Sequence, residues 1–145
     1  MTETYDGLKL ENQLCFPLYA CAKGIVRRYK PFLDRIDLTY TQYIAMMVLW
    51  EKKKVSVKEL GDALFLDSGT LTPVLKKLEK KGYVSRVRNE RDERVLDVRL
   101  TKEGERLKAD AARVPGEMAS CVRLSKEEAA FLYDILYKLL NDLEE

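Results

Sequence analysis

The hydrophobic and polar positions of this chain follow a helical period over most of its length. Apolar residues recur three or four positions apart in three stretches, and a capping motif of the form Ser/Thr-x-x-Glu/Gln stands before each of them. The three motifs are Thr39-x-x-Gln42, Ser56-x-x-Glu59 and Ser125-x-x-Glu128. The pattern therefore predicts a helix that begins just after each capping residue.

The last of these helices has a wide apolar stripe. Its apolar residues are Phe131, Leu132, Ile135, Leu136, Leu139, Leu140 and Leu143. A face this broad has to be buried, and a small domain offers little room for it, so we expect a second chain to cover it. Burial in the chain's own core is the alternative.

A further helix is predicted over residues 68–81, where Gly82 suits the left-handed conformation that closes helices. Its inward positions are Leu71, Leu75 and Leu78. Pro73 leaves the start of this helix open. A helix from Ser68 places the proline in the interior, where it implies a kink, whereas Thr72 as the capping residue places it at the first helical position.

After Gly82 the period changes from about 3.6 to 2, which predicts strands over residues 83–88 and 95–100. The segment Asn89–Arg94 between them is polar throughout, as in an exposed hairpin turn. Together with helices over 57–64 and 68–81, this hairpin completes the element order of a winged helix-turn-helix. We therefore predict a mainly α fold with a small β hairpin.

The domain organisation follows from this element order. We expect a single domain over residues 1–145, in which residues 38–104 form the winged helix-turn-helix. Residues 1–37 and 105–145 are then expected to form dimerisation helices.

Composition excludes several classes of protein. The longest apolar run, Tyr43–Trp50, is far shorter than the roughly 20 residues that cross a bilayer, and the polar start at residues 2–6 is unlike a signal peptide, so we expect a cytoplasmic protein without a membrane partner. Histidine is absent, which removes the commonest general base and zinc ligand. The three cysteines form no C-x-x-C pair. We predict no enzyme activity, no cofactor and no metal site.

Charge is unevenly distributed although the net charge is only +2. Between Lys52 and Arg106 there are 15 Lys or Arg and 10 Asp or Glu, so this middle segment is positive and the two ends together are negative. We expect the middle segment to bind an anion, and ordinary solvated helix faces are the alternative.

The positive segment and the winged helix-turn-helix coincide, which indicates DNA as the anion. The 68–81 helix begins with small polar residues, so its amino end is suited to enter a major groove, and the hairpin arginines are suited to a minor groove. Consecutive lysines on a helix lie about 100° apart, so only part of the set Lys76, Lys77, Lys80 and Lys81 is expected to reach phosphate.

These residues resemble a known family. The run Ser56–Gly82, the triplet Asp92-Glu93-Arg94 and the motif Leu100-Thr101-x-x-Gly104 resemble the MarR family of dimeric bacterial repressors. The strings Leu10–Phe16 and Leu66–Pro73 and the arginine-bearing hairpin are similar to its OhrR branch, which senses organic hydroperoxides. The resemblance covers nearly the whole chain.

The resemblance implies a homodimer built from the first and last helices, with two wings that straddle a pseudo-palindromic operator in double-stranded DNA. It implies that Arg94 reaches the minor groove while Asp92 holds it. The DNA-binding residues expected from sequence and resemblance together are Ser68, Thr70, Pro73, Lys76, Lys77, Arg86, Arg88, Arg91, Asp92 and Arg94.

Cys15 is the candidate redox sensor, although a lone cysteine in an apolar helix is usually an inert packing residue. Tyr19 lies four residues further on and so shares a helical face with it. Tyr29 lies fourteen residues away, roughly 21 Å along a continuous helix, so only a neighbouring chain could bring the two together. The resemblance implies the same: Tyr29 and Tyr40 of a partner contact the sensing cysteine, and Tyr19 lies nearby.

Two further features bear on the sensor. If Pro17 lies inside a helix, it is expected to kink that helix. If it lies in the first turn, Cys15 is at the positive end of the helix, which favours negative charge on its sulfur. Cys121 is the candidate resolving thiol, because two-cysteine members of the branch carry a second cysteine at a similar distance. Cys21 lies about 240° round the helix from Cys15 and is interpreted as a packing residue.

These expectations combine in one hypothesis: a repressor that binds DNA when reduced and releases it when an organic hydroperoxide oxidises Cys15. One alternative is a MarR-type repressor gated by a small aromatic ligand, with tyrosines and Trp50 around a pocket. A second alternative is a thiol peroxidase that uses Cys15 and Cys121 in turnover.

Overall fold

A computed structural model describes residues 4–144 of the chain. Its seven described helices are α1 (Cys15–Asp34), α2 (Tyr40–Lys52), α3 (Val57–Leu64), α4 (Ser68–Lys80), α5 (Lys102–Ala111), α6 (Val114–Ala119) and α7 (Lys126–Leu143). The strands are β1 (Lys54–Ser56), β2 (Val84–Arg88) and β3 (Leu96–Leu100). Two short 3₁₀ turns, Asp6–Leu8 and Leu10–Asn12, precede α1. The prediction of a mainly α, winged-helix fold is confirmed.

The described residues divide into two compact units, one up to Val114 and one from Pro115 onward. The first contains the sheet, α1 to α5 and a continuous apolar core. Among residues 4–144, the largest fully buried side chains all lie in this unit: Leu33, Met46, Leu49, Leu60, Leu71, Leu75, Leu78 and Val98. The leucines predicted to face inward from α4 are therefore confirmed as core residues.

The sheet has three strands rather than the two predicted. Its strands are antiparallel in the order β1-β3-β2, and Val55 of β1 lies opposite Val98 of β3. β1 escaped prediction because a strand of three residues is too short to show a period of 2. The third strand ties the wing to the residues just before α3.

The predicted helix starts are confirmed by their caps. The Thr39 side chain accepts a hydrogen bond from the Gln42 backbone N–H, and that of Ser56 accepts from the Glu59 N–H, over 3.2 Å and 3.0 Å. α4 begins at Ser68, capped by Asp67, so the alternative start at Thr72 is wrong. α4 continues for 13 residues through Pro73, although a proline inside a helix removes one backbone hydrogen bond.

The second unit contains α7, which begins with the capping box predicted at Ser125. Pro115 is the second residue of α6, where a backbone N–H has no intrahelical partner to lose, so it does not interrupt this helix. Residues 120–125 separate α6 from α7. No described residue of α7 is buried in the single chain, although the helix carries many apolar side chains.

No helix among the described residues combines the length and the apolar character needed to cross a bilayer.

Gly104 makes a close approach that fixes the start of α5. The Trp50 indole N–H donates to the Gly104 carbonyl oxygen over 2.8 Å, and a Cβ at this glycine would collide with the Tyr83 carbonyl oxygen and with the Leu100 side chain. We expect Gly104→Ala to lower the free energy of unfolding by about 2 kcal/mol or more, as overpacking does, in urea denaturation at fixed protein concentration.

The matched control is Gly116→Ala, because a Cβ at Gly116 meets no atom within 4 Å. An equal stability of the two variants would contradict the close approach at Gly104.

Candidate DNA interface and thiol site

The amino end of α4 is an exposed, polar helix start. Ser68 and Thr70 are exposed, and the Asp67 carboxylate accepts a hydrogen bond from the Thr70 backbone N–H over 2.7 Å. This hydrogen bond, helped by others from Thr70 and Gly69, lowers the pKa of Asp67 below its usual value. Pro73, three residues after Thr70 and so about one helical turn further on, is exposed as well.

The four lysines at the end of α4 lie in two kinds of surroundings, and which of them reach phosphate stays a prediction. Lys76, Lys77 and Lys80 are exposed. Lys81, just beyond the helix, is instead held by the corner between α1 and α2: its ammonium group donates to the Asp37 carbonyl oxygen and, over 3.2 Å, to Gln42 Oε1. Lys81 therefore ties the carboxyl end of α4 to the rest of the first unit.

The tip of the wing carries an exposed arginine in a defined geometry. The Arg94 side chain is 91% exposed, yet its Nε and one terminal nitrogen donate to the two carboxylate oxygens of Asp92 over 3.0 Å and 3.2 Å. These hydrogen bonds lower the pKa of Asp92, so the carboxylate is charged at neutral pH. The structure thus contains the Asp92–Arg94 contact that the resemblance implies.

The other wing arginines lie in different surroundings. Arg88 and Arg91 are exposed at the end of β2 and in the tip. Arg86 lies in the middle of β2, and its guanidinium donates to Glu79 of α4 over 3.1 Å and 3.4 Å. Arg86 was predicted to bind DNA, but its side chain is engaged within the protein.

A cleft of about 750 Å³ brings the two candidate DNA-reading elements together. It is lined by α3, by the start of α4 and by the wing, and both Ser68 and Arg94 belong to its lining. The helix start and the wing arginine therefore border one concave surface of the first unit.

Cys15 is the first residue of α1 and is exposed in the single chain. Pro17 is consequently the third residue of the helix and lies within its first turn, so the kink that Pro17 would cause in a helix interior is absent. No side chain caps this helix end among the described residues. Cys15 therefore lies at an uncapped, positive helix end.

The tyrosines form a cluster that sequence reasoning found only in part. The rings of Tyr29 and Tyr40 lie 4.8 Å apart, and Tyr43 joins them at 5.9 Å and 6.4 Å. Tyr43 follows Tyr40 by about one helical turn, which was the available signal. Tyr19 is exposed, and its hydroxyl accepts a hydrogen bond from the Lys23 ammonium group over 3.3 Å. Contact between the cluster and a partner's cysteine stays a prediction.

The remaining cysteines are also free thiols. Cys121 follows α6 in the second unit, is half-buried, and donates from Sγ to the Glu117 carbonyl oxygen over 3.7 Å. Cys21 is exposed on α1 rather than packed, so its predicted packing role is not fulfilled within one chain.

Comparison with known proteins identifies the relatives of this chain. A family model described as transcriptional regulator SarA/Rot matches residues 27–111. The organic hydroperoxide resistance transcriptional regulator of Bacillus subtilis is 44% identical over 145 residues, which cover 100% of this chain and 99% of that protein. The HTH-type transcriptional regulator SarZ of Staphylococcus aureus is 45% identical over 132 residues, which cover 91% and 87%.

Solved structures agree with these relatives. Reduced AbfR bound to DNA superposes with a TM-score of 0.79 at 33% identity, over 97% of this chain and 98% of AbfR. AbfR comes from Staphylococcus epidermidis and has also been solved in a disulfide form, with a TM-score of 0.67 at 33% identity over 97% of this chain and 96% of AbfR. The relatives therefore include a DNA-bound protein known in more than one oxidation state.

The tyrosine cluster generates a pH prediction. Burial raises the pKa of Tyr29, Tyr40 and Tyr43, and the charge of ionised Tyr29 raises that of the other two further. Because the folded pKa values exceed the unfolded value of about 10, this contribution to stability is complete below that pH and is lost as the pH rises through the folded values.

We expect ultraviolet absorbance titration to show these phenols ionising later in the folded protein than in urea. Tyr40→Phe should reduce the late step. Superimposable titration curves for the folded and the urea-unfolded protein would contradict the cluster.

Proposed function

Because this chain belongs to the OhrR-like branch of the MarR family of transcriptional regulators, we propose that it is a dimeric DNA-binding repressor, released from its operator when an organic hydroperoxide oxidises Cys15. The observation that carries the redox part is the exposed Cys15 at the amino end of α1, in a chain 44% identical along its whole length to a hydroperoxide resistance regulator. The place of action of such a repressor is the cytoplasm, where bacterial DNA is.

The proposed chemistry begins with the Cys15 sulfur. As a thiolate it attacks one peroxide oxygen, the O–O bond breaks, and the alkoxide leaves as an alcohol after it takes up a proton. The resulting sulfenic acid condenses with a second thiol to form a disulfide and water. Cys121 is the proposed second thiol, because it is a free, partly accessible cysteine.

DNA binding uses the exposed start of α4 and the tip of the wing. Ser68 and Thr70 offer hydroxyl groups to a major groove, while Lys76 and Lys77 attract phosphates. The exposed guanidinium of Arg94 suits a neighbouring minor groove, which is narrow and strongly negative in A-tracts. Residues 38–104 thus form the proposed DNA-binding part.

Dimerisation completes both sites. The apolar side chains of residues 1–37 and 105–145 that stay exposed in one copy form the proposed interface; the described ones include Leu8, Leu14, Phe16, Leu18, Phe131, Leu132, Tyr133 and Leu139. A second copy would also bring its Tyr29 and Tyr40 to Cys15. Oxidation weakens DNA binding because it favours a dimer whose recognition helices fit grooves about one helical turn apart less well.

The thiol prediction compares two cysteines of the same helix. Treatment of the wild type with one equivalent of an organic hydroperoxide should weaken operator binding by about 10- to 100-fold, a usual range for coupling between sites. Cys15→Ser should bind DNA as the reduced wild type does and ignore the oxidant, whereas the matched control Cys21→Ser should respond fully.

Two other results would count against this scheme. Release of DNA by an aromatic ligand from Cys15→Ser would favour a ligand-gated repressor. Sustained consumption of hydroperoxide with a thiol reductant, unaffected by Arg94→Ala, would favour a peroxidase.

The dimer prediction concerns α7. Leu132→Glu combined with Leu139→Glu should raise the dimer dissociation constant at least ~100-fold, since each change places an unpaired charge in the interface. Sedimentation velocity and operator binding at the same concentrations measure both consequences. The matched control is Lys138→Gln with Asn141→Glu, which makes the same change in net charge at exposed polar positions of α7.

A further inference from the structure

Asp97 is a buried carboxylate in a strand of the wing, although acidic side chains are usually exposed to solvent. It lies in β3 between the core residue Val98 and Leu96, and the residue is only 3% exposed. Burial of a carboxylate is unfavourable unless hydrogen bonds compensate for it, and an apolar residue would fill a sheet position at lower cost. The partners of Asp97 therefore indicate why it is there.

Asp97 holds the side chain of Asn89. The Asn89 amide nitrogen donates to Asp97 Oδ2 over 2.9 Å, and the Lys54 ammonium group lies 4.0 Å from the same oxygen. Asp97 itself is fixed by pairing on both sides, because Ser56 of β1 and Val87 of β2 lie opposite it. The base of the wing thus presents a rigid acceptor to the first residue of the tip.

Asn89 in turn holds the backbone of the tip. Its side-chain oxygen accepts hydrogen bonds from the backbone N–H groups of Arg91 and Asp92 over 2.9 Å and 3.1 Å. Its own backbone N–H donates to the Val95 carbonyl oxygen over 2.8 Å, which closes the tip across the hairpin. The orientation of this one amide therefore determines where Asp92 lies.

Asp92 completes the chain of contacts to Arg94. Its Oδ1 accepts from both the backbone N–H and the Nε of Arg94, and its Oδ2 accepts from a terminal nitrogen. An ion pair this exposed contributes little when both side chains are free to move. It orders the arginine only if Asp92 is itself held in place, and Asn89 holds Asp92 through its backbone N–H.

We propose that Asp97 is a positioning residue for DNA binding, which acts through Asn89 and Asp92 to hold the Arg94 guanidinium in place before DNA arrives. The inference rests on the proposed function, because it assigns the cause of Arg94's orientation rather than the contact with DNA. Immobilising a long side chain in advance is worth roughly tenfold in affinity.

The direction in which one substitution changes the affinity for DNA separates this role from simple electrostatics. Asp97→Ala removes a negative charge close to the DNA-binding surface, so charge alone predicts tighter binding. The positioning role predicts binding that is weaker by roughly tenfold, because Arg94 is released. Asp97→Asn keeps an oxygen that accepts from Asn89 and should bind better than Asp97→Ala.

Three further variants test whether Asp97 acts through Asn89 and Arg94. In an Arg94→Ala background Asp97→Ala should weaken binding no further, because the residue it positions is gone. Asn89→Asp sets two carboxylates against each other and should weaken binding. Asn89→Asp with Asp97→Asn should restore it, because the new amide at position 97 donates to the new carboxylate at position 89 without a change in net charge from the wild type.

The experiment uses the reduced full-length protein and a duplex of about three helical turns that the wild type enriches from a random-sequence pool. Fluorescence anisotropy gives affinity, and nitrogen-15 relaxation of the Arg94 Nε–H in the free protein gives its order. We expect Asp97→Ala to lower both affinity and order, and the exchanged double variant to regain both, which also shows that the wing folds.

The possible failures differ. A wild type without salt-sensitive affinity for any duplex overturns the proposed function and this inference with it. A wild type that binds and is weakened by Arg94→Ala, but with Arg94 Nε–H order and affinity unaltered by Asp97→Ala, overturns the positioning role alone. The same conclusion follows if Asp97→Ala weakens the Arg94→Ala variant as much as the wild type.

Discussion

A single copy of this chain cannot bury its own apolar surface, and most of its proposed behaviour depends on that constraint. α7 runs for 18 residues without one that is buried, and the segment before α1 exposes Leu8, Leu10 and Leu14. The hydrophobic effect favours the removal of this exposed apolar surface from water. In the proposed dimer, association of two chains also sets the separation of the two α4 helix starts. The exposed Cys15 lies in the same apolar segment, between Leu14 and Phe16.

The sequence predicted those elements whose cause is local. Helix starts depend on a side chain and an N–H three residues away, so Thr39, Ser56 and Ser125 could be identified without tertiary information. The same applies to the alternating strands of the wing. β1 could not be found, because its three residues are too few to show a period of 2 and the strand is recognised only by its pairing with β3.

The candidate site was predictable in composition but not in arrangement. Arg86 and Arg94 carry the same charge, and the sequence does not distinguish them. In the structure Arg86 pairs with Glu79 and is mostly buried, whereas Arg94 pairs with Asp92 and stays exposed. The sequence did not indicate a role for Asp97, because that role depends on a contact with Asn89, which lies eight residues away across a turn. Tyr29 and Tyr40 were paired in advance by resemblance, and Tyr43 was added only by the geometry of the helix–helix contact.

The hold of Lys81 on the corner between α1 and α2 has a mechanical consequence. It fixes the carboxyl end of α4, whereas the amino end is held by the packing of the buried Leu71. A helix of 13 residues is about 20 Å long, so a tilt of roughly 10° about the carboxyl end displaces the amino end by about 3 Å. That is the length of a hydrogen bond. A change of tilt of this size would therefore be enough to make or break a contact between Ser68 and a base.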